Sequence, residues 1–165
     1  GVIHGIRTFV PLLLEQAEGH VVNTASMAAV TTLPFTGIYH MTKHAVLALS
    51  ECLHHELRAR GSKVGVTVVC PEMVATRIDA AERNRPASLR REAAPTAERE
   101  LVGKAIADAV KRGIPPAAIA ERTLAAIREE RFYVLSDDDW RRMAATRCED
   151  VRTGRNPTFS VPGAS

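Results

Sequence analysis

Apolar positions along the chain recur with two periods, and the alternation of those periods outlines the elements. Ile3, Ile6, Val10, Leu13 and Leu14 fall at helical spacing and predict a helix over residues 2–17. Pro11 removes one backbone donor inside it, and Gly19 supplies a stop. The stretch "HVVNTAS" (20–26) is short, β-branched and without clean alternation, the pattern of a parallel strand buried on both faces. Residues 27–38 read as a loop punctuated by Pro34 and Gly37. From Tyr39 to Arg60 the helical period returns, with Val46, Leu49, Leu53 and Leu57 on one stripe, and Gly61 closes it. "KVGVTVVCP" (63–71) is a second strand ended by a proline.

Beyond it the pattern turns polar. Residues 77–95, rich in arginine and broken by Pro86 and Pro95, predict a loop. Thr96 caps a predicted helix to about Lys111, and Pro115 and Pro116 open another to about Glu130. "RFYVLS" (131–136) is a third strand, and the Asp137–Asp139 run caps a last helix through Trp140, Met143, Arg147 and Val151 to Gly154. Helices alternating with strands argue for an α/β layered sheet with parallel strands. Three strands make a narrow sheet with two poorly protected edges, so part of a larger sheet is expected.

Composition changes this picture little. The 165 residues suffice for one domain with a real core, and 45% apolar with 25% charged residues is ordinary globular usage. No apolar run approaches the ~20 residues of a membrane helix. The opening "GVIHGIRTFVPLLLEQ" lacks a basic leader and a small-residue cleavage site, so it is not read as a signal peptide. It begins at Gly1 inside a predicted helix without a cap, which makes a fragment the expectation. Net charge is +3, and most arginines lie in Glu-containing helical segments, as solvated faces do. Cys52, Cys70 and Cys148, three residues at unrelated spacings, form no disulfide or zinc pattern, and a reducing cytoplasm is the expected location.

The candidate chemistry lies in "YHMTKHA" (39–45). With two tyrosines and four lysines in the chain, chance supplies roughly 0.05 Tyr-x-x-x-Lys matches, so context decides its meaning. On a helix Tyr39 and Lys43 share a face, about 6 Å apart along the axis. Ser26 lies thirteen residues before Tyr39, at the C-terminal end of a predicted strand, where open α/β sheets place ligands. An ordinary phenol, with a pKa near ~10, is a poor base at neutral pH, and a neighbouring ammonium favours its ionised form.

"NTAS…YHMTK", followed by "AVLALSE" and "VVCPEMVAT", resembles the classical short-chain dehydrogenase/reductase family, and "RFYVLS…GRNP" resembles the end of its chains. The resemblance covers nearly the whole sequence. It implies a Rossmann-like doubly wound parallel sheet, present over residues 1–165 only as its C-terminal half. It also implies NAD(P)-dependent interconversion of an alcohol and a carbonyl by hydride transfer. Tyr39 would then be the general acid/base, Lys43 its electrostatic modulator and a ligand of the nicotinamide ribose, and Ser26 the donor to the substrate oxygen. Pro71, Val74 and Thr76 would line the nicotinamide with Tyr39 and Lys43.

Glu72 departs from the family pattern, standing where glycine is usual. The family's catalytic asparagine would fall just before Gly1. No glycine-rich dinucleotide turn occurs, so NAD and NADP are not told apart, and the chain by itself is expected to be inactive. The helices at 2–17 and 39–60 match the pair through which the family dimerises, implying a homodimer or homotetramer.

Other features read more plainly. His40 and His44 have an i, i+4 spacing that can hold zinc, but no third ligand is evident. They are read as surface or interface residues, and no metal site is expected. Arg77, Arg83, Arg85, Arg90 and Arg91 lack interleaved aromatics and are balanced by Glu82 and Glu92, so the segment reads as a flexible lid, with no nucleic acid and no membrane as partner. Two rivals stay open on the residues alone: a non-catalytic scaffold or oligomerisation piece without dinucleotide binding, and a nucleic-acid module built on that loop.

Overall fold

The computed structural model describes residues 1–89, 96–135 and 138–160. In chain order they form α1 (Val2–Glu15), β1 (Gly19–Thr24), a 3-10 turn (Met27–Ala29), α2 (Gly37–Ala59) and β2 (Val64–Cys70). Two 3-10 segments (Ile78–Asn84 and Ala87–Leu89), α3 (Ala97–Lys111), α4 (Pro116–Arg128), β3 (Tyr133–Leu135) and α5 (Asp138–Thr153) follow. The predicted α/β alternation is observed, and the strands pair in parallel in the order β1-β2-β3. The chain divides into two compact units, Gly1–Glu72 with Ala120–Ser165, and Met73–Ile119.

In the first unit β2 is the buried strand: Val64, Val66, Val68, Val69 and Cys70 are all covered. Burying each such aliphatic side chain contributes about 1.5–3 kcal/mol. Val10, Leu53, Leu57, Val64 and Val66 form one core cluster, with Ile6 and Leu13 against it. Ala25, Met27, Ala29, Leu47, Val68 and Cys70 form the other, with Trp140 packed on it.

β1 departs from expectation. It pairs with β2 alone among the described strands, and Val22 is 39% exposed with Thr24 also exposed. β-branched residues suit any pleated strand, whether one face is covered or two, so composition did not distinguish the cases.

The stripe on α2 is also rotated from the predicted one. His40, Leu47, Ser50, Leu53 and Leu57 are its buried residues, whereas Val46 and Leu49 are half-buried. Two members of the true stripe are polar, which an apolar count overlooks.

The predicted helix ends hold closely: Gly61 follows α2 at φ +65, and Gly154 follows α5 at φ +68. α5 starts at Asp138, and Asp137 of the expected cap lies outside the described residues. Its end is clamped to the tail, where Asp150 accepts from the Thr158 amide at 2.8 Å and pairs with Arg155 at 2.8 Å.

In the second unit Thr96 caps α3 as predicted, its Oγ1 accepting from the Arg99 amide at 3.4 Å. Arg85 holds Glu82 through two bonds of 2.6 and 2.8 Å, and Arg83 donates to the Arg77 and Ala80 carbonyls at 2.6 and 2.8 Å. Arg90, Arg91, Glu92 and Pro95 of the expected lid lie outside the described residues. Among the described residues no helix is long and apolar enough to cross a membrane.

Candidate active site

The C-terminal ends of the parallel strands set the site. After β1 the chain turns at Ser26, whose Oγ accepts from the Ala28 amide at 3.2 Å and so caps the turn Met27–Ala29. The same hydroxyl donates to the Pro71 carbonyl at 3.5 Å, at the far limit of a hydrogen bond. The Met27 amide donates to that carbonyl at 3.0 Å. Pro71, just past β2, is thereby stitched to the Ser26 turn. A proton held at so long a distance is easily redirected to a better acceptor.

Tyr39 stands on the first turn of α2 and is 46% exposed. Lys43 lies one turn along, with its Nζ over the tyrosine ring at 5.6 Å from the centroid. That is within the range at which a cation is attracted to a π face. Nζ also donates to the Thr24 carbonyl at 3.5 Å, at the tip of β1. One ammonium thus touches the strand end that leads into Ser26 and the ring of Tyr39.

The chain's other tyrosine is a useful contrast. Tyr133 donates to Glu51 Oε1 at 2.7 Å, and burial, with that carboxylate, pushes its phenol up to about 12. Tyr133 is held protonated, whereas Tyr39 has a cation for a neighbour.

Cys70 ends β2 directly before Pro71. Burial drives its thiol up to about 11, against the opposing pull of the Ser26 backbone and of Lys43, so it stays neutral filling in the core. Cys52 and Cys148 are exposed free thiols.

Glu72 turns toward α4, its Oε1 4.0 Å from Arg122 Nη1, with the carboxylate side chain 9% exposed. The buried charge therefore has a cation to answer it. Ser26, Tyr39, Lys43 and Pro71 belong to the first unit. Val74 and Thr76 belong to the second, where Val74 bridges in parallel to Ile114, and Thr76 Oγ1 accepts from the Ile78 amide at 3.4 Å.

His40 corrects the sequence reading. It is 5% exposed, not a surface residue, and its ring is bonded at both nitrogens. Nε2 accepts from the Leu33 amide at 3.1 Å, and Nδ1 donates to the Ala28 carbonyl at 2.9 Å. His44 Nδ1 donates to the His40 carbonyl at 2.9 Å. No group of three metal-ligating side chains occurs among the described residues.

The parallel α/β layers thus carry a serine at one strand tip and a tyrosine–lysine pair on the next helix. The family model for short chain dehydrogenases matches residues 1–87, just over half the sequence, and the chain belongs to that family. A short chain dehydrogenase/reductase from Burkholderia phymatum, crystallised in complex with NAD, is 42% identical with a TM-score of 0.92. That match covers 97% of this chain and 58% of the other. The apo form of LigO from Sphingobium sp. strain SYK-6 is 28% identical with a TM-score of 0.64, over 93% of this chain and 47% of the other. The CLA biosynthesis dehydrogenase/reductase of Lactiplantibacillus plantarum is 24% identical over 96% of this chain and 57% of its own length. The chain thus spans about half the length of these relatives.

Proposed function

We propose that this chain carries the proton-transfer groups of an NAD(P)-dependent oxidoreductase that interconverts an alcohol and a carbonyl. The observation that carries the reading is the placement of Lys43, 5.6 Å over the Tyr39 ring and 3.5 Å from the Thr24 carbonyl beside the Ser26 turn. Three donors on an ammonium that makes one long bond leave capacity for the hydroxyls of a ribose. This donor set fits the sugar end of a nicotinamide nucleotide, and the NAD held by the Burkholderia phymatum relative supports that assignment.

Tyr39 and Lys43 would hold the nicotinamide ribose, with Pro71 toward the ring. Bound there, the nicotinamide supplies or accepts the hydride. In the reducing direction the Tyr39 phenol gives its proton to the substrate oxygen, and in the oxidising direction the phenolate takes one. Lys43 sets a positive charge 5.6 Å from the Tyr39 ring, beside the oxygen that moves the proton. Ser26 exchanges its 3.5 Å bond to Pro71 for one to the substrate oxygen and holds it at Tyr39.

No glycine-rich phosphate-binding turn occurs in the sequence. We therefore assign turnover to a polypeptide in which a dinucleotide-binding part accompanies this chain, and none to the 165 residues alone.

Tyr39→Phe is the test, made in the complete polypeptide that carries this chain. Loss of the proton donor lowers kcat on the order of 100-fold or more, while NADH and NADPH, titrated against Trp140 fluorescence, still bind through Lys43 with an affinity weakened far less than turnover. Near-full turnover of the variant would remove Tyr39 from the mechanism. Failure of both nucleotides to bind the unaltered protein would favour a non-catalytic scaffold.

A further inference from the structure

We propose that His40 is a positioning residue for the reaction: its Nδ1–H···O=C bond to Ala28 fixes the Ser26 turn against the helix that carries Tyr39. The inference rests on the roles proposed above for Ser26 and Tyr39. Both partners of the ring are backbone groups whose parts cannot be exchanged. The Leu33 amide can only donate, so Nε2 must be the lone-pair nitrogen, and the ring proton sits on Nδ1, facing an Ala28 carbonyl that can only accept. The imidazole is thereby set in one tautomer and one orientation.

Its two contacts reach the two segments that matter. Ala28 is the residue whose amide donates to Ser26 Oγ at 3.2 Å, so one peptide-bonded residue separates the histidine from the serine hydroxyl. Leu33 belongs to the loop that leads into α2, where Thr36 Oγ1 donates to the Leu33 carbonyl at 3.1 Å and the His40 amide donates to the Thr36 carbonyl at 3.0 Å. Thr31, fully buried, closes the start of the same loop by donating to the Met27 carbonyl at 2.9 Å. His40 is the next residue after Tyr39, so displacing the ring moves the phenol's own backbone.

The two bonds separate experimentally. His40→Asn places an amide N–H near the Nδ1 position and keeps the bond to Ala28, losing the one to Leu33. His40→Gln reaches the Nε2 position with its oxygen and keeps Leu33, losing Ala28. Each variant loses one buried bond, so a merely structural histidine predicts equal falls in Tm and parallel falls in activity.

Positioning predicts a split. His40→Asn keeps kcat within about threefold, whereas His40→Gln lowers it on the order of 100-fold with KM little changed, as a small misplacement of a reacting group does. Amide exchange, which needs no turnover, quickens at Ala28 in His40→Gln and at Leu33 in His40→Asn. Equal kcat in the two variants, with Tyr39→Phe inactive, overturns the inference and leaves the functional reading standing. An active Tyr39→Phe overturns the functional reading and with it this inference. Should His40→Gln fail to fold, His40→Asn decides alone: retained kcat supports the strut, and a 100-fold loss removes it.

Discussion

Asn23 is a buried amide on a strand otherwise built from glycine, valine, histidine and threonine. Its Nδ2 donates to Ser50 Oγ at 2.9 Å, and Ser50 passes the bond on to the Val46 carbonyl at 2.7 Å, so a chain of polar groups ties β1 to α2. Replacing Asn23 by alanine leaves a fully buried hydroxyl short of one donor. The expected loss is about 1–3 kcal/mol, read as a fall in the urea midpoint without a change in slope. A change below about 0.5 kcal/mol would show that the pair contributes nothing net.

The same chemistry explains which residues were legible beforehand. Ser26, Tyr39 and Lys43 announce themselves because their side-chain types and local spacing carry the signal. His40 does not, since both its partners are backbone atoms of Ala28 and Leu33 in a loop with no periodicity. Ser50 hid for a like reason, as a polar residue on what proved to be a buried stripe.

Among the elements, the segment after β2 depends on a close approach of two backbones. Ala75 donates to the Ile114 carbonyl at 2.9 Å and Ile114 to the Met73 carbonyl at 3.0 Å, which lays residues 73–75 along 113–114. Gly113 permits this: a Cβ there would lie 2.7 Å from the Met73 carbonyl oxygen and 2.8 Å from the Ala75 nitrogen. Those are backbone atoms that cannot swing aside. Gly113→Ala therefore pries the two strips apart, at about 1–3 kcal/mol of overpacking. Hydrogen exchange should quicken at the Ala75 and Ile114 amides while β2 stays protected. Unchanged exchange at both would mean that the strip shifts without strain.

Element boundaries were read well wherever glycine, proline or a capping threonine marks them, as at Gly61, Pro116 and Thr96. The 3-10 segments Ile78–Asn84 and Ala87–Leu89 went unseen. Short backbone bonds such as Ala80 to Arg77 and Leu89 to Pro86 build them, Arg83 adds side-chain bonds in the first, and no apolar stripe betrays them.

For the molecule as a whole, the shifted groups define a pH window of stability. Burial lowers His20 below the usual 6.5, with Glu130 opposing, and His54 is lowered by burial and by the charges of Arg58 and His55. A base whose folded pKa is depressed binds fewer protons folded than unfolded. Its stabilisation is complete above the unfolded value and is lost as the pH falls through 6.5. Asp150, held low by the Thr158 amide, adds a second acid loss only in the lower carboxylate range.

On the alkaline side the sign reverses. Cys70 is raised from 9.0 to about 11 and Tyr133 from 10.0 to about 12, so the unfolded chain ionises first and stability falls as the pH climbs past 9. Denaturation midpoints should accordingly form a plateau between about pH 7 and 9 and decline on both sides. His20→Gln carries the diagnosis, because glutamine can still donate to Thr67 Oγ1, which His20 Nε2 meets at 2.8 Å, yet it does not titrate. The variant should flatten the decline between about pH 7 and 5.5 while leaving the alkaline limb in place. An unaltered acid limb in His20→Gln would assign that loss to other groups, and a wild-type midpoint level down to about pH 5.5 would deny that either histidine is coupled to folding.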